Sequence, residues 1–210
     1  YRDQSNYKST ILNLKYINDL DQKNKIIWQI NYTDSPYAYD PGGLKLSEVE
    51  DNRRQARKNN IDYDTYEKVK HLKTGLSWNY KKSEDSFFDS YFFYQKRDFY
   101  SKLPFNFGGV ISIDRNYYGF GSKFTRNKNF EKRNNSFVIG IDHLSQSDDR
   151  KRFKNNFGIK GDITLSQMEN FDSTGLYLVN QTTFKTGFLL RYGTVSYTHL
   201  TLPTKPKVDV

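Results

Sequence analysis

The sequence predicts an all-β chain, an up-and-down meander of antiparallel strands of the kind that forms the wall of a transmembrane β-barrel. Three observations predict it. Apolar and polar residues alternate with period two in segment after segment. The links between those segments are mostly short, then long, then short. The apolar content is aromatic, with 17 Tyr and 16 Phe in a 210-residue chain that is only 35% hydrophobic, and aromatic side chains favour strands. Mean hydropathy is −0.88, and no run reaches the ~18 apolar residues of a membrane helix. A membrane-crossing strand needs only about 9–11 residues with every second one apolar, so low mean hydropathy is compatible with it.

The elements follow in order. In 8–18, Thr10, Leu12, Leu14 and Tyr16 share a face opposite Asn13, Lys15 and Ile11. In 25–33, Trp28, Ile30 and Tyr32 alternate with Gln29 and Asn31. The clearest pattern is in 66–80, where Leu72, Thr74, Leu76, Trp78 and Tyr80 oppose His71, Lys73, Gly75, Ser77 and Asn79. In 86–99, Phe88, Phe92 and Tyr94 share a face with Ser90, although Tyr91 and Phe93 blur it. In 110–125, Tyr118, Phe120, Ser122 and Phe124 oppose Gly119, Gly121 and Lys123. Phe137, Ile139 and Ile141 mark a strand in 135–145, Leu176 and Leu178 one in 173–183, and Phe188, Leu190 and Tyr192 one in 186–193. That makes eight strands.

The long links are expected at 34–65 and 146–171, with a medium one at 100–109. Alternation alone also fits a soluble sandwich. Long links gathered at one end fit a barrel with tight turns on one side of a membrane and extended loops on the other. Asp40-Pro41-Gly42-Gly43 is a turn signal. Ser47 and Glu50 have capping-box spacing and predict a short helix at about 48–58, displaying Arg53, Arg54, Arg57 and Lys58 on an outer loop.

The net charge is +9, but the lysines are scattered rather than gathered in a stripe. Nucleic acid is therefore not an expected partner. No cysteine is present, which removes thiol chemistry and Cys-ligated metal. His71 and His143 lie on different predicted strands, without a paired carboxylate motif. Ser136 and Ser145 lack a nucleophile-elbow context. Gly119-x-Gly121 lies within a strand pattern and reads as a close-packing device rather than a phosphate loop. No catalytic residue, metal site or cofactor is expected, and the chain is not expected to be an enzyme.

The segments YTDSPYAYDPGGL (32–44) and DNRRQARKNN (51–60) resemble a loop of proteobacterial TonB-dependent receptors, in the ferric-siderophore and ferric-citrate branch. QKRDFYSKLPF (95–105) and IDRNYYGFGSKF (113–124) look like the next hairpin pair of that family. STGLYLVNQTTF (173–184) and FLLRYG (188–193) resemble its "GLYLQDQ…, GLRY" hairpin, with Val179-Asn180 where Gln-Asp or Gln-Asn is commoner. The resemblance runs through almost all of 1–194. It implies about eight strands of a 22-stranded barrel, left as an open, curved wall. It also implies a plug domain and a TonB-contacting segment outside this chain, and a Gram-negative outer-membrane location. The implied partners are a ferric chelate, the TonB complex, and outer-membrane lipid and lipopolysaccharide. Arg suits an anionic chelate through its permanent charge and planar fork, and Tyr adds stacking surface. The expected ligand contacts are Tyr37, Tyr39, Arg53, Arg54 and Arg57.

VSYTHLTLPT (195–204) does not continue the alternation and reads as the translation of a transposase sequencing adapter. Residues 195–210 are expected to be a non-native tail, leaving 1–194 as a partial barrel domain with charge +8. The chain begins at Tyr1 and its one methionine is Met168, so a reading frame that starts upstream is expected. The rival readings are a passive porin or adhesin barrel, and a secreted glycan-binding sandwich.

Overall fold

The computed structural model describes the backbone of residues 1–203 and the side chains of residues 1–198. Eight strands run in sequence order: β1 (Tyr7–Asp19), β2 (Asn24–Tyr39), β3 (Tyr66–Ser83), β4 (Ser86–Lys102), β5 (Val110–Asn129), β6 (Arg133–Asn156), β7 (Ile159–Phe184) and β8 (Leu189–Pro203). Each pairs antiparallel with the next in one open sheet, β1 and β8 being its edges. Two short helices, α1 (Leu46–Asn52) and α2 (Lys58–Asp62), interrupt the β2–β3 connection.

One face of this sheet is built for lipid. Tyr16, Trp28, Leu76, Phe92 and Phe120 lie on one cross-strand row. Tyr80, Phe88, Phe124, Ile139 and Leu178 lie on another row nearer the short turns. In hydrocarbon an unpaired polar group costs several kcal/mol, and the polar groups within this band find each other. Trp28 donates to Thr74 Oγ1 at 3.0 Å and Trp78 to Asn24 Oδ1 at 3.0 Å. Ser90 and Ser122 bond at 2.8 Å, and His143 Nδ1 lies 2.9 Å from Thr174 Oγ1.

The apolar band runs obliquely to the hydrogen-bonded rows. Its upper edge on β1 is Leu12, whose row reaches Asn170 on β7. On β7 the continuous band ends at Leu176, six residues further along, with Thr174, Asp172 and Asn170 above it on that face. Six residues of ~3.4 Å over six interstrand steps of ~4.8 Å give a slope of roughly 35°. A level membrane crossing a tilted barrel wall demands this drift, and spanning barrels tilt by about 35–45°.

Several elements differ from expectation. The 146–171 link is the paired outer part of β6 and β7, which turn at Phe157–Gly158 with φ of 47° and 86°. Polar residues fall on both of its faces and its few apolar ones keep no period of two, so no alternation betrayed a strand. The loop helix splits at Arg53–Arg57, where the Arg57 N–H bonds Pro41 O at 2.8 Å and buries Ala56. Its cap is Glu48, which accepts the Lys45 N–H at 2.6 Å, rather than the Ser47–Glu50 pair. The last strand continues past 193 to Pro203 by main-chain pairing with β7. Residues 204–210 of the expected tail lie outside the described residues.

The outer connections are tied together. Asn155, fully buried, donates to Tyr63 O and Leu103 O at 3.0 Å each and accepts the Gly158 N–H at 2.8 Å. Arg2 clamps the 40–57 segment through Gly42 O at 2.7 Å and Gln55 O at 2.9 Å.

Candidate functional site

The opposite face of the same strands must look into the barrel, because side chains alternate. At membrane level it is lined by rings laid over glycines. A Cβ at Gly121 would come within 2.6 Å of Tyr91, one at Gly119 within 2.7 Å of Phe93, and one at Gly140 within 2.4 Å of Tyr177. Tyr91 donates its hydroxyl to Asp142 at 2.7 Å. Gly119-x-Gly121 is thus a close-packing device, as the strand pattern suggested.

Above this floor the face turns cationic. One row carries His71, Arg97, Arg115, Asp148 and Glu169 across β3 to β7. The next two rows towards the outside add Arg150 and Arg152. Among the described residues, this upper part of the face sets the cations Lys73, Arg97, Arg115, Arg150 and Arg152 beside the carboxylates Glu67, Asp148 and Glu169.

These cations are not equivalent. Arg115 is committed: its Nε and Nη2 grip Asp148 at 2.8 and 2.6 Å, and Asp148 is 2% exposed. Arg150 reaches Glu169 at 3.0 Å. Arg97 and Arg152 have no carboxylate in ion-pair range among the described residues. The Nε atoms of Arg97, Arg150 and Arg152 are enclosed without a partner. A buried donor left unpaired costs about 1–3 kcal/mol. The half-exposed remainder of each guanidinium offers an anion in the lumen a planar fork of donors, while the enclosed Nε atoms stay out of its reach.

The residues expected from sequence lie elsewhere. Arg53, Arg54 and Arg57 are exposed on the outer loop, Arg57 capping α2. Tyr37 and Tyr39 lie on the lipid-side face, above the apolar band, with their rings 5.7 Å apart. The structure does not bring them together with the arginine rows. The signal for the missed residues was Arg150-x-Arg152 at period two, hidden while 146–171 was read as loop.

No family model matches this chain. Solved structures resemble it closely in fold. The ferric citrate transporter FecA matches with a TM-score of 0.70 at 14% identity, over 93% of this chain and 33% of FecA. BauA, the ferric preacinetobactin receptor from Acinetobacter baumannii, matches at 0.67 and 10% identity, over 96% of this chain and 36% of BauA. The siderophore receptor PiuA from the same organism matches at 0.63 and 11%, over 97% and 38%. Identities this low carry fold alone: the chain folds as a contiguous run of the barrel wall found in these iron-chelate receptors, and spans about a third of their length.

Proposed function

We propose that this chain is part of the barrel wall of a TonB-dependent receptor, which takes up a ferric siderophore or ferric citrate across a Gram-negative outer membrane. The carrying observation is the lumenal cationic face, where Arg97 and Arg152 stand uncompensated above an aromatic floor. In this reading an anionic chelate descends from the outer end and exchanges water for guanidinium hydrogen bonds. Arg115, held by Asp148, fixes the face rather than contacting cargo. Of the residues expected from sequence, the outer-loop Arg53, Arg54 and Arg57 would make earlier, weaker contacts, whereas Tyr37 and Tyr39, on the lipid-side face of β2, would not meet cargo in the lumen. The wall performs no covalent step, so it needs no catalytic group. Energy would come from the TonB complex acting on a plug that this chain does not supply. We also propose that 195–210 derive from an adapter; untrimmed sequencing reads that continue this gene through the same codons would refute that.

The test uses the full-length protein in a host lacking its own ferric-chelate receptors. Radioactive iron is presented as ferric citrate and as a panel of anionic siderophores. Saturable uptake is expected that disappears when tonB is deleted, while surface binding persists. Arg97→Gln with Arg152→Gln is expected to weaken binding roughly tenfold or more per residue, as for a charge-assisted hydrogen bond of about 1.5–3 kcal/mol. Uptake that ignores tonB, or binding indifferent to both arginines, would defeat the proposal.

A further inference from the structure

One group on the lumenal cationic face changes its charge near neutral pH. His71 stands on β3 directly opposite Arg97 of β4, with Lys73 next to it on the same face of its own strand. Side chains directly opposite each other in an antiparallel pair have Cβ atoms only ~5 Å apart. Lys73 and Arg97 have no carboxylate in ion-pair range among the described residues. Arg115, one strand further, is held by Asp148. On β2 the residue opposite His71 is Thr33, flanked on that face by Asn31 and Ser35, so no charge comes from that side. The carboxylate on this face of β3 is Glu67, four residues outward, or ~13 Å along the strand.

The imidazole is placed to take a proton from the lumen. It is half-buried, and its Nε2 lies 3.3 Å from Gln95 Oε1. With that oxygen as acceptor, Nε2 carries the hydrogen of the neutral ring and Nδ1 receives the second proton. Nδ1 makes no hydrogen bond among the described residues and is not enclosed, so it opens on the lumen. Lys73, Arg97 and Arg115 all act on the ring, and like charges nearby oppose a further positive one. An anion that settles on Lys73 and Arg97 reverses this balance. It cancels their repulsion and adds an attraction of its own. The next row outward, Val69, Phe99 and Ile113, is apolar, which limits the water that would screen that attraction.

We infer that His71 joins Arg97 and Lys73 in the lumenal anion site, and that binding of an anionic chelate is coupled to the uptake of a proton by His71. The buffer acid supplies the proton, the new bond is Nδ1–H, and the resulting imidazolium donates to the anion. The ring holds its proton more tightly in the bound state than in the free one. The gain in affinity is therefore complete at pH values below the titration of the free ring, and is lost as pH rises through that of the bound ring. A chelate of higher negative charge gains more from acid than one of lower charge. This rests on the lumenal site under Proposed function and adds to it one residue and one proton.

The experiment measures, by calorimetry at pH 7.5 and 5.5, the binding of ferric citrate and of the anionic ferric siderophores of the uptake panel to the full-length protein in detergent. Wild type, His71→Gln and His71→Arg are compared on the same chelate, so that the chelate's own titration cancels. An anion that raises the proton affinity of His71 by about one pH unit strengthens binding roughly fivefold between these pH values. Wild type is expected to gain that factor relative to His71→Gln. His71→Arg, charged throughout, is expected to bind roughly five- to tenfold more tightly than His71→Gln at both pH values. At pH 6.5, titrations in two buffers of different ionisation enthalpy should count roughly half a proton more taken up by wild type than by either variant. If one variant fails to show the heat-modifiable migration of a folded barrel, the other is the reference for both measurements. Equal proton counts, or the same pH response in wild type and a folded variant, overturn the inference. If binding needs Arg97 and Arg152 while these comparisons show no difference, this inference alone falls. If no chelate of the panel binds, both readings fall.

Discussion

Replacing Gly121 with alanine tests whether the rings on the lumenal face need glycine beneath them. The new Cβ would lie 2.2 Å from Asp142 Oδ1 and 2.6 Å from Tyr91 Cε1. Both groups must retreat by about 1 Å to reach ordinary contact, and overpacking of this kind costs about 1–3 kcal/mol. The retreat also breaks the 2.7 Å bond from Tyr91 to Asp142, a charge-assisted bond of about 1.5–3 kcal/mol. Alanine recovers about 0.5–1 kcal/mol of strand preference over glycine. The net expectation is a loss of about 2–4 kcal/mol. The assay is urea unfolding of the full-length protein in lipid vesicles, followed by tryptophan fluorescence, for the two single variants and the double variant with Tyr91→Ala. In the Tyr91→Ala background the ring and its bond are already gone, so Gly121→Ala should cost under ~1 kcal/mol. The coupling between the two positions should therefore exceed ~1 kcal/mol. A Gly121→Ala variant as stable as wild type, or additive with Tyr91→Ala, would refute the reasoning.

Three further outcomes follow from the same structure. Leu76→Arg, in the middle of the apolar band, should destabilise the folded barrel in vesicles by about 2–4 kcal/mol, whereas Ser77→Arg on the lumenal face should cost far less; equal losses would mean the faces are misassigned. Asn155→Ala removes a fully buried amide that serves Tyr63 O, Leu103 O and the Gly158 N–H; hydrogen exchange should speed up in 60–65, 103–109 and 155–158 together, and speeding confined to one of them would count against a joined cap. Asp21, in the β1–β2 turn, has its pKa lowered by the Lys23 N–H, then by the Asn24 side chain. A lowered folded value means that its stabilisation of the turn is present above its unfolded pKa of about 3.8 and is lost as pH falls through the folded value. The β1–β2 hairpin of Asp21→Asn should therefore show a flatter acid response below about pH 4, read by hydrogen exchange at Leu20 and Asn24.

How much was legible beforehand depended on which side chains the membrane touches. Within the band, Leu72 to Tyr80 or Tyr118 to Phe124 must alternate because one face meets lipid, so all eight strands could be found. Above the band both faces meet water. Gln146 to Arg152 are then polar without interruption, and nothing in their pattern separates a strand from a loop. The candidate site suffered from the same blindness. Arg150 and Arg152 lie in that polar extension, and Arg97 and Arg115 enter one row only once β3 to β7 are paired. Arg53, Arg54 and Arg57 were conspicuous because they sit together in sequence, and Arg97 and Arg115 were not because they meet only in space. The helix differs for local reasons: Glu48 accepts the Lys45 N–H and starts it earlier, and the Arg57 N–H is taken by Pro41 O, outside any helical ladder.

The same lumenal face also bears on the size of the barrel. Eight strands could close on themselves, but the interior of such a barrel is only wide enough for its own side chains to fill. Filling it requires side chains that stand up from the sheet and meet across the axis. Here the large ones do the reverse. Tyr91, Phe93 and Tyr177 lie down over Gly121, Gly119 and Gly140, where any Cβ would lift them. Arg115 and Arg150 turn along the sheet to Asp148 and Glu169 rather than across it. Glycine costs strand stability, so three glycines on one face under three rings are a device for keeping that face flat. A flat face has no use in a packed eight-stranded core. It suits a wide lumen in which something else must lie against the wall, and the open edges of β1 and β8 are where more wall would continue.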